Sequence, residues 1–138
     1  MEAHVKDVVR AVTEASDEER ILFPEVVSAL SEVGIERYLA DLACATKTYY
    51  QPDGPFEIVP CHGVSLPAKA FSAEAIEAAV RASQSGTIKY REFCERIAAA
   101  GCVGYIVTLA GRRAVYYGRA GDSHTEWFPG GAVAPHRV

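Results

Sequence analysis

No stretch of this chain approaches the ~20 apolar residues of a membrane span. Its first residues, "MEAHVKDVVRAV", scatter charges where a secretory leader would be apolar. The expectation is a soluble, cytoplasmic protein. There is no basic excess either: net charge is −4 and pI ≈ 5.6, which disfavours nucleic acid as a partner. The four cysteines, Cys44, Cys61, Cys94 and Cys102, form no C-x-x-C pair, which disfavours a zinc ribbon. Without a secretory signal their default state is the reduced thiol. Cys44, Cys94 and Cys102 lie in apolar company and read as small core residues. "GRAGDS" has two glycines but no phosphate-loop spacing, so a nucleotide cradle is set aside. At 49% hydrophobic and 23% charged, the chain lacks the composition of disorder, except for a flexible tail expected over 129–138.

The rest reads as one domain, residues 1–138, of α+β class. Val5, Val8, Val9 and Val12 recur at helical spacing. A second helix starts at "FPEVVSALSEVG", with Pro24 in its first turn and Gly34 just past its end. "IERYLADLA" and "TKTYY" read as strands before the turn signal "QPDG", and "FEIV" as a third. After a Pro- and Gly-rich loop the programme recurs. Ser72 can cap "AEAIEAAVRASQS", ended by Gly86, and Thr87 can cap "IKYREFCERIAAA", ended by Gly101. "CVGYIVTLA" and "RAVYYGRA" flank a tight turn, and "HTEWF" is the last strand candidate.

The recurrence extends to identities. Without a gap, residues 5–54 align with 72–121, sharing 12 identities in 50 positions. They include Gly34/Gly101, Tyr38/Tyr105, Tyr49/Tyr116, Tyr50/Tyr117 and Gly54/Gly121. Matches fall on helix ends and strand tyrosines, which points to two tandem α-α-β-β repeats sharing an antiparallel sheet packed by helices.

With Gly111 and Arg112 as central turn residues, Tyr105, Val107, Leu109 and Tyr116 share one sheet face. Ile106, Thr108, Val115 and Tyr117 share the other. Both faces are apolar, although an antiparallel sheet needs only one such face. One face is therefore expected to stay open for a partner. Tyr38, Tyr49, Tyr50, Tyr105, Tyr116 and Tyr117 are candidate ligand-binding residues on the sheet, or core tyrosines with hydroxyls at its rim.

Asp122, His124 and Glu126 alternate along the last strand and are the leading catalytic or metal-ligand candidates. The same alternation also suits a solvated edge strand guarded against aggregation. Their matches in the first half are Pro55, Glu57 and Val59, so the repeated architecture does not require them. Cys61 and His62, in "VPCHGV", form a second candidate site on a loop. Glu25 and Glu92 are accounted for by the helix dipole.

"FPEVVSALSEVGIERYLADL", "TKTYY" and "AGCVGYIVTLAGRRAVYYGRAGDSHTEWFPG" resemble the YdfO-like family of bacterial and prophage-borne proteins. The resemblance runs from about Val5 to Pro129 and implies a small α+β fold without an assigned activity or cofactor. It also implies a histidine after the first-strand tyrosine, where this chain has Leu39, which weakens an enzyme reading. The leading expectation is a non-catalytic binding or accessory module using an apolar, tyrosine-rich sheet face. A homodimer is one form of it, and a small-molecule or protein ligand is another. The alternative is an enzyme or metal protein using Asp122, His124 and Glu126 with Cys61 and His62 nearby. The residues name no cofactor.

Overall fold

The computed structural model describes residues 1–129, so the tail expected from Pro129 onward lies almost wholly outside the described residues. Helices α1 (Ala3–Asp17) and α2 (Phe23–Glu32) are followed by strands β1 (Arg37–Asp41), β2 (Thr46–Tyr50) and β3 (Phe56–Pro60). The same order recurs as α3 (Ala73–Gln84), α4 (Tyr90–Ala99), β4 (Cys102–Thr108), β5 (Arg113–Gly118) and β6 (Ser123–Trp127). All pairings are antiparallel, in one sheet ordered β3-β2-β1-β4-β5-β6. No described helix is long and apolar enough to cross a membrane.

The two halves meet at the sheet's centre. Tyr38 pairs with Val107 and Ala40 with Tyr105, so a shift of 67 exchanges these pairs. The described residues with positive φ obey the same shift: Glu19 with Gly86, Gly34 with Gly101, Ala45 with Arg112, and Gly54 with Gly121. These are the sites where the chain turns against the steric preference of L residues.

The helices supply one buried layer. Val5, Val9 and Val12 form the stripe of α1, and Val26 and Leu30 that of α2. Ile76, Ala79 and Val80 of α3 join Phe93, Cys94 and Ile97 of α4. They pack on Tyr38, Ala40, Tyr49, Val59, Tyr105, Val107, Ala114 and Tyr116, the alternate residues of the sheet that face the helices. Ser72 caps α3, its Oγ accepting from Ala75 N at 3.1 Å. Thr87 does not cap α4, which begins at Tyr90. Buried Ile88 draws the chain inward first, and the Thr87 hydroxyl pairs with Ser85 Oγ at 2.8 Å.

The second hairpin differs from the tight turn expected. Thr108, not Ala110, faces Arg113, and Leu109–Arg112 form a four-residue loop. Thr108 Oγ1 accepts from Gly111 N at 3.0 Å, and Arg112 takes the left-handed turn. The first hairpin is built alike: Asp41 Oδ1 accepts from Ala43 N and Cys44 N, and Ala45 turns left-handed. The slip is two residues, so the expected faces survive. Cys44 lies in that first loop, exposed, rather than in the core; Cys94 and Cys102 are buried as expected.

Candidate functional site

The helix-free side of the sheet carries three rows. The central row is Ile58, Thr48, Leu39, Ile106, Val115 and Thr125, one residue from each strand. Phe56, Tyr50, Arg37, Thr108, Arg113 and Trp127 flank it on one side, with Pro60, Thr46, Asp41, Gly104, Tyr117 and Ser123 on the other. Phe56, Ile58 and Ile106 keep 55%, 56% and 37% of their surface exposed. The guanidinium of Arg37 lies 4.2 Å from the Tyr50 ring centroid, and that of Arg113 lies 4.3 Å from the Trp127 centroid. Arg37 and Glu36 also form an ion pair. Arg37, Leu39, Tyr50 and Ile106 border a shallow depression of ≈ 150 Å³.

The six candidate tyrosines divide between the faces. Tyr38, Tyr49, Tyr105 and Tyr116 are buried under the helices, whereas Tyr50 and Tyr117 are on the bare side. Burial pushes the Tyr38, Tyr49, Tyr105 and Tyr116 hydroxyls above the usual tyrosine range. Two find partners: Tyr49 Oη lies 2.7 Å from Thr13 Oγ1, and Tyr105 Oη lies 2.8 Å from Tyr90 Oη.

Asp122, His124 and Glu126 do not form a wet row. His124 and Glu126 face the helices, because they pair with the inward residues Tyr116 and Ala114. Glu126 Oε2 is 2.6 Å from His124 Nε2, and Glu126 Oε1 is 3.1 Å from Arg81 of α3. Asp122 stays exposed, before the strand begins. Among the described residues no three His, Cys, Asp or Glu side chains come together as a metal site. Arg81 locks edge strand β6 to α3, and Arg10 of α1 does the same for Glu57 of β3 at 2.5 Å.

His62 and Cys61 follow β3, at the opposite edge from His124, about five strand spacings of ~4.8 Å away. The two groups therefore do not share a site. His62 instead joins residues that were not singled out in the sequence. Its Nδ1 is 2.8 Å from Asp17 Oδ1, and its backbone N donates to Asp17 Oδ2 at 3.1 Å. Its ring meets that of Tyr90 edge-on, with centroids 5.5 Å apart. Its Nε2 is buried without a hydrogen-bond partner. Beside them Lys47 points inward from β2, only 4% exposed. Its Nζ lies 4.7 Å from the Tyr90 centroid and 5.9 Å from that of Tyr38.

Burial lowers the Lys47 pKa against the opposing pull of Cys94, Cys61 and Asp17. Burial raises both neighbouring thiols, Cys94 to about 12. A raised thiol argues against Cys61 as a thiolate nucleophile. Lys47 was legible: it alternates with Tyr49, so an inward Tyr49 makes Lys47 inward too. Asp17, Tyr90 and Cys94 reach the cluster from distant segments, which no local pattern announces.

Fold and surface define a small α+β protein with one helix-covered sheet face and one bare face. The chain belongs to the family described as protein of unknown function (DUF1398), whose model matches residues 8–125. That match takes in the Lys47 cluster and nearly all of the bare face. No curated protein matches the chain.

Proposed function

We propose that this protein is a non-catalytic binding module of one domain, that its working surface is the bare sheet face, and that the occupant is a second copy of the chain. The observation carrying this reading is that the helices sit on one side while Phe56, Ile58 and Ile106 stand exposed on the other. Six strands at ~4.8 Å and five residues at ~3.3 Å give a flat footprint of about 480 Å² per copy. Side-chain relief adds to that, bringing a face-to-face pair near the ~1,200 Å² of small specific interfaces.

Charge supports the pairing. A two-fold axis along the central row exchanges the flanking rows. It would lay Arg37 of one copy over Asp41 of the other, twice. An axis along the strands would instead leave both arginine rows facing each other. The paired positive-φ residues and the exchange of strand pairs at the centre also support descent of the two halves from one ancestral unit. The quoted motifs support placing the chain among YdfO-like, prophage-related proteins.

Light scattering on the eluting protein tests the dimer. The native chain is expected at twice its monomer mass, and Ile106→Lys at the monomer mass with an unchanged circular dichroism spectrum. A native chain that stays monomeric at high micromolar concentration would overturn the reading.

A further inference from the structure

The Lys47 cluster lies on the other side of the sheet, independent of the bare face. A buried ammonium is costly unless paired, and a carboxylate would be its ordinary partner. Among the described residues Lys47 has no such ion pair; its Nζ faces two tyrosine rings. The nearby carboxylate, Asp17, is engaged with both oxygens on His62. In the neutral ring that arrangement places the proton on Nδ1 and the lone pair on Nε2. Nε2 is then a proton acceptor, buried without a partner, beside the tyrosine that Lys47 faces. The side chains of His62 and Asp17 are 9% and 19% exposed.

We propose that Lys47 and His62 form an amine site that takes a short, uncharged aldehyde as a Schiff base. The neutral Lys47 amine attacks the carbonyl carbon, forming the C–N bond and moving the π electrons to oxygen. His62 Nε2 passes one proton from the nitrogen to the alkoxide, giving the carbinolamine. A second proton, drawn from solvent, lets the hydroxyl leave as water while the nitrogen lone pair closes the C=N bond of the iminium. The products are one C=N bond and one water, with no oxidant or reductant. Burial favours the neutral amine this step needs, as for other desolvated nucleophilic lysines. The product iminium keeps the aromatic faces of Tyr90 and Tyr38. The class of ligand follows from charge. Once Lys47 has reacted, Asp17, Cys61, Cys94 and the tyrosines supply no second cation for a substrate carboxylate, and Arg91 lies exposed with its Nε donating to Asp17 O at 2.7 Å.

The test is reductive trapping on the whole chain. Native protein is treated with propionaldehyde and cyanoborohydride at neutral pH, and Lys6, Lys47, Lys69 and Lys89 are followed by peptide mass. Lys47 is expected to label at least about tenfold faster than exposed Lys69 and Lys89, and His62→Gln to slow Lys47 alone, by about a hundredfold. Glyoxylate, which carries a carboxylate, is expected to label Lys47 more slowly than propionaldehyde does. Labelling of Lys47 no faster than that of Lys69 and Lys89 would overturn the proposal. That comparison needs only the native protein, so it stands even if the variant misfolds.

Discussion

The two halves place different chemistry on equivalent backbone. Asp17, Lys47, Cys61 and His62 in the first have Gln84, Ala114, Phe128 and Pro129 in the second, each 67 residues on. Tyr90 and Cys94, which close the polar cluster, stand opposite Phe23 and Val27. A similar aromatic contact recurs one residue out of step: His62 meets Tyr90 at 5.5 Å and 78°, and Phe128, the counterpart of Cys61, meets Phe23 at 5.3 Å and 78°. The second half thus puts Ala114, Phe128 and Pro129 where the first has Lys47, Cys61 and His62, and its Gln84 accepts from Arg81 at 3.0 Å. Packing needs an edge-on ring pair there but not a lysine, a histidine or a carboxylate. Where a buried charge breaks local rules without a structural need, function is the usual reason.

This contrast can be broken most severely by moving the charge. Ala114→Lys forces a long side chain and an ammonium into the space of an alanine, opposite a Glu126 whose carboxylate Arg81 and His124 already engage. A loss of about 3 kcal/mol or more is expected in urea unfolding. The reverse change, Lys47→Met, makes the first half resemble the second. It is expected to stabilise the native state by about 1–2 kcal/mol at neutral pH, as when buried ions are replaced by apolar residues of similar volume. Ile106→Lys leaves both halves folded and is expected to change stability by less than about 0.5 kcal/mol while abolishing the dimer. The smallest effect concerns the hairpin loops. Ala45 and Arg112 both adopt positive φ, near 57° and 54°. Ala45→Gly removes the steric cost but adds backbone entropy to the unfolded chain, so a gain of at most about 1 kcal/mol is expected.

Much of this architecture was legible in the sequence, because strand parity and helix punctuation are local. The inward set Tyr105, Val107 and Tyr116 and the outward set Ile106, Val115 and Tyr117 follow from alternation alone, and a two-residue error in the hairpin loop leaves alternation intact. Helix ends at Gly34, Gly86 and Gly101 follow from the need for positive φ. The sites were less legible. Glu126 was inward for the same reason as Val59, 67 residues earlier, yet its polarity suggested solvent. Arg81 from α3 is what makes its burial tolerable, and only the packing of α3 on β6 brings it there. Likewise the Asp17–His62 contact spans 45 residues. It forms because α1 ends beside the chain leaving β3, a relation that no short motif records.

The central claim is that the charges of the first half serve something other than folding. Its most direct test is urea unfolding of Lys47→Met beside the native protein, from about pH 7 to about pH 10. Burial sets the folded pKa of Lys47 below its unfolded value. Between those two values the unfolded native chain binds more protons, so native stability rises with pH relative to the variant. The account predicts that Lys47→Met is the more stable protein near pH 7 and that its advantage shrinks as pH rises through the folded pKa of Lys47. A variant less stable than the native protein by about 2 kcal/mol at pH 7 would contradict it, showing Lys47 to be an element of the fold.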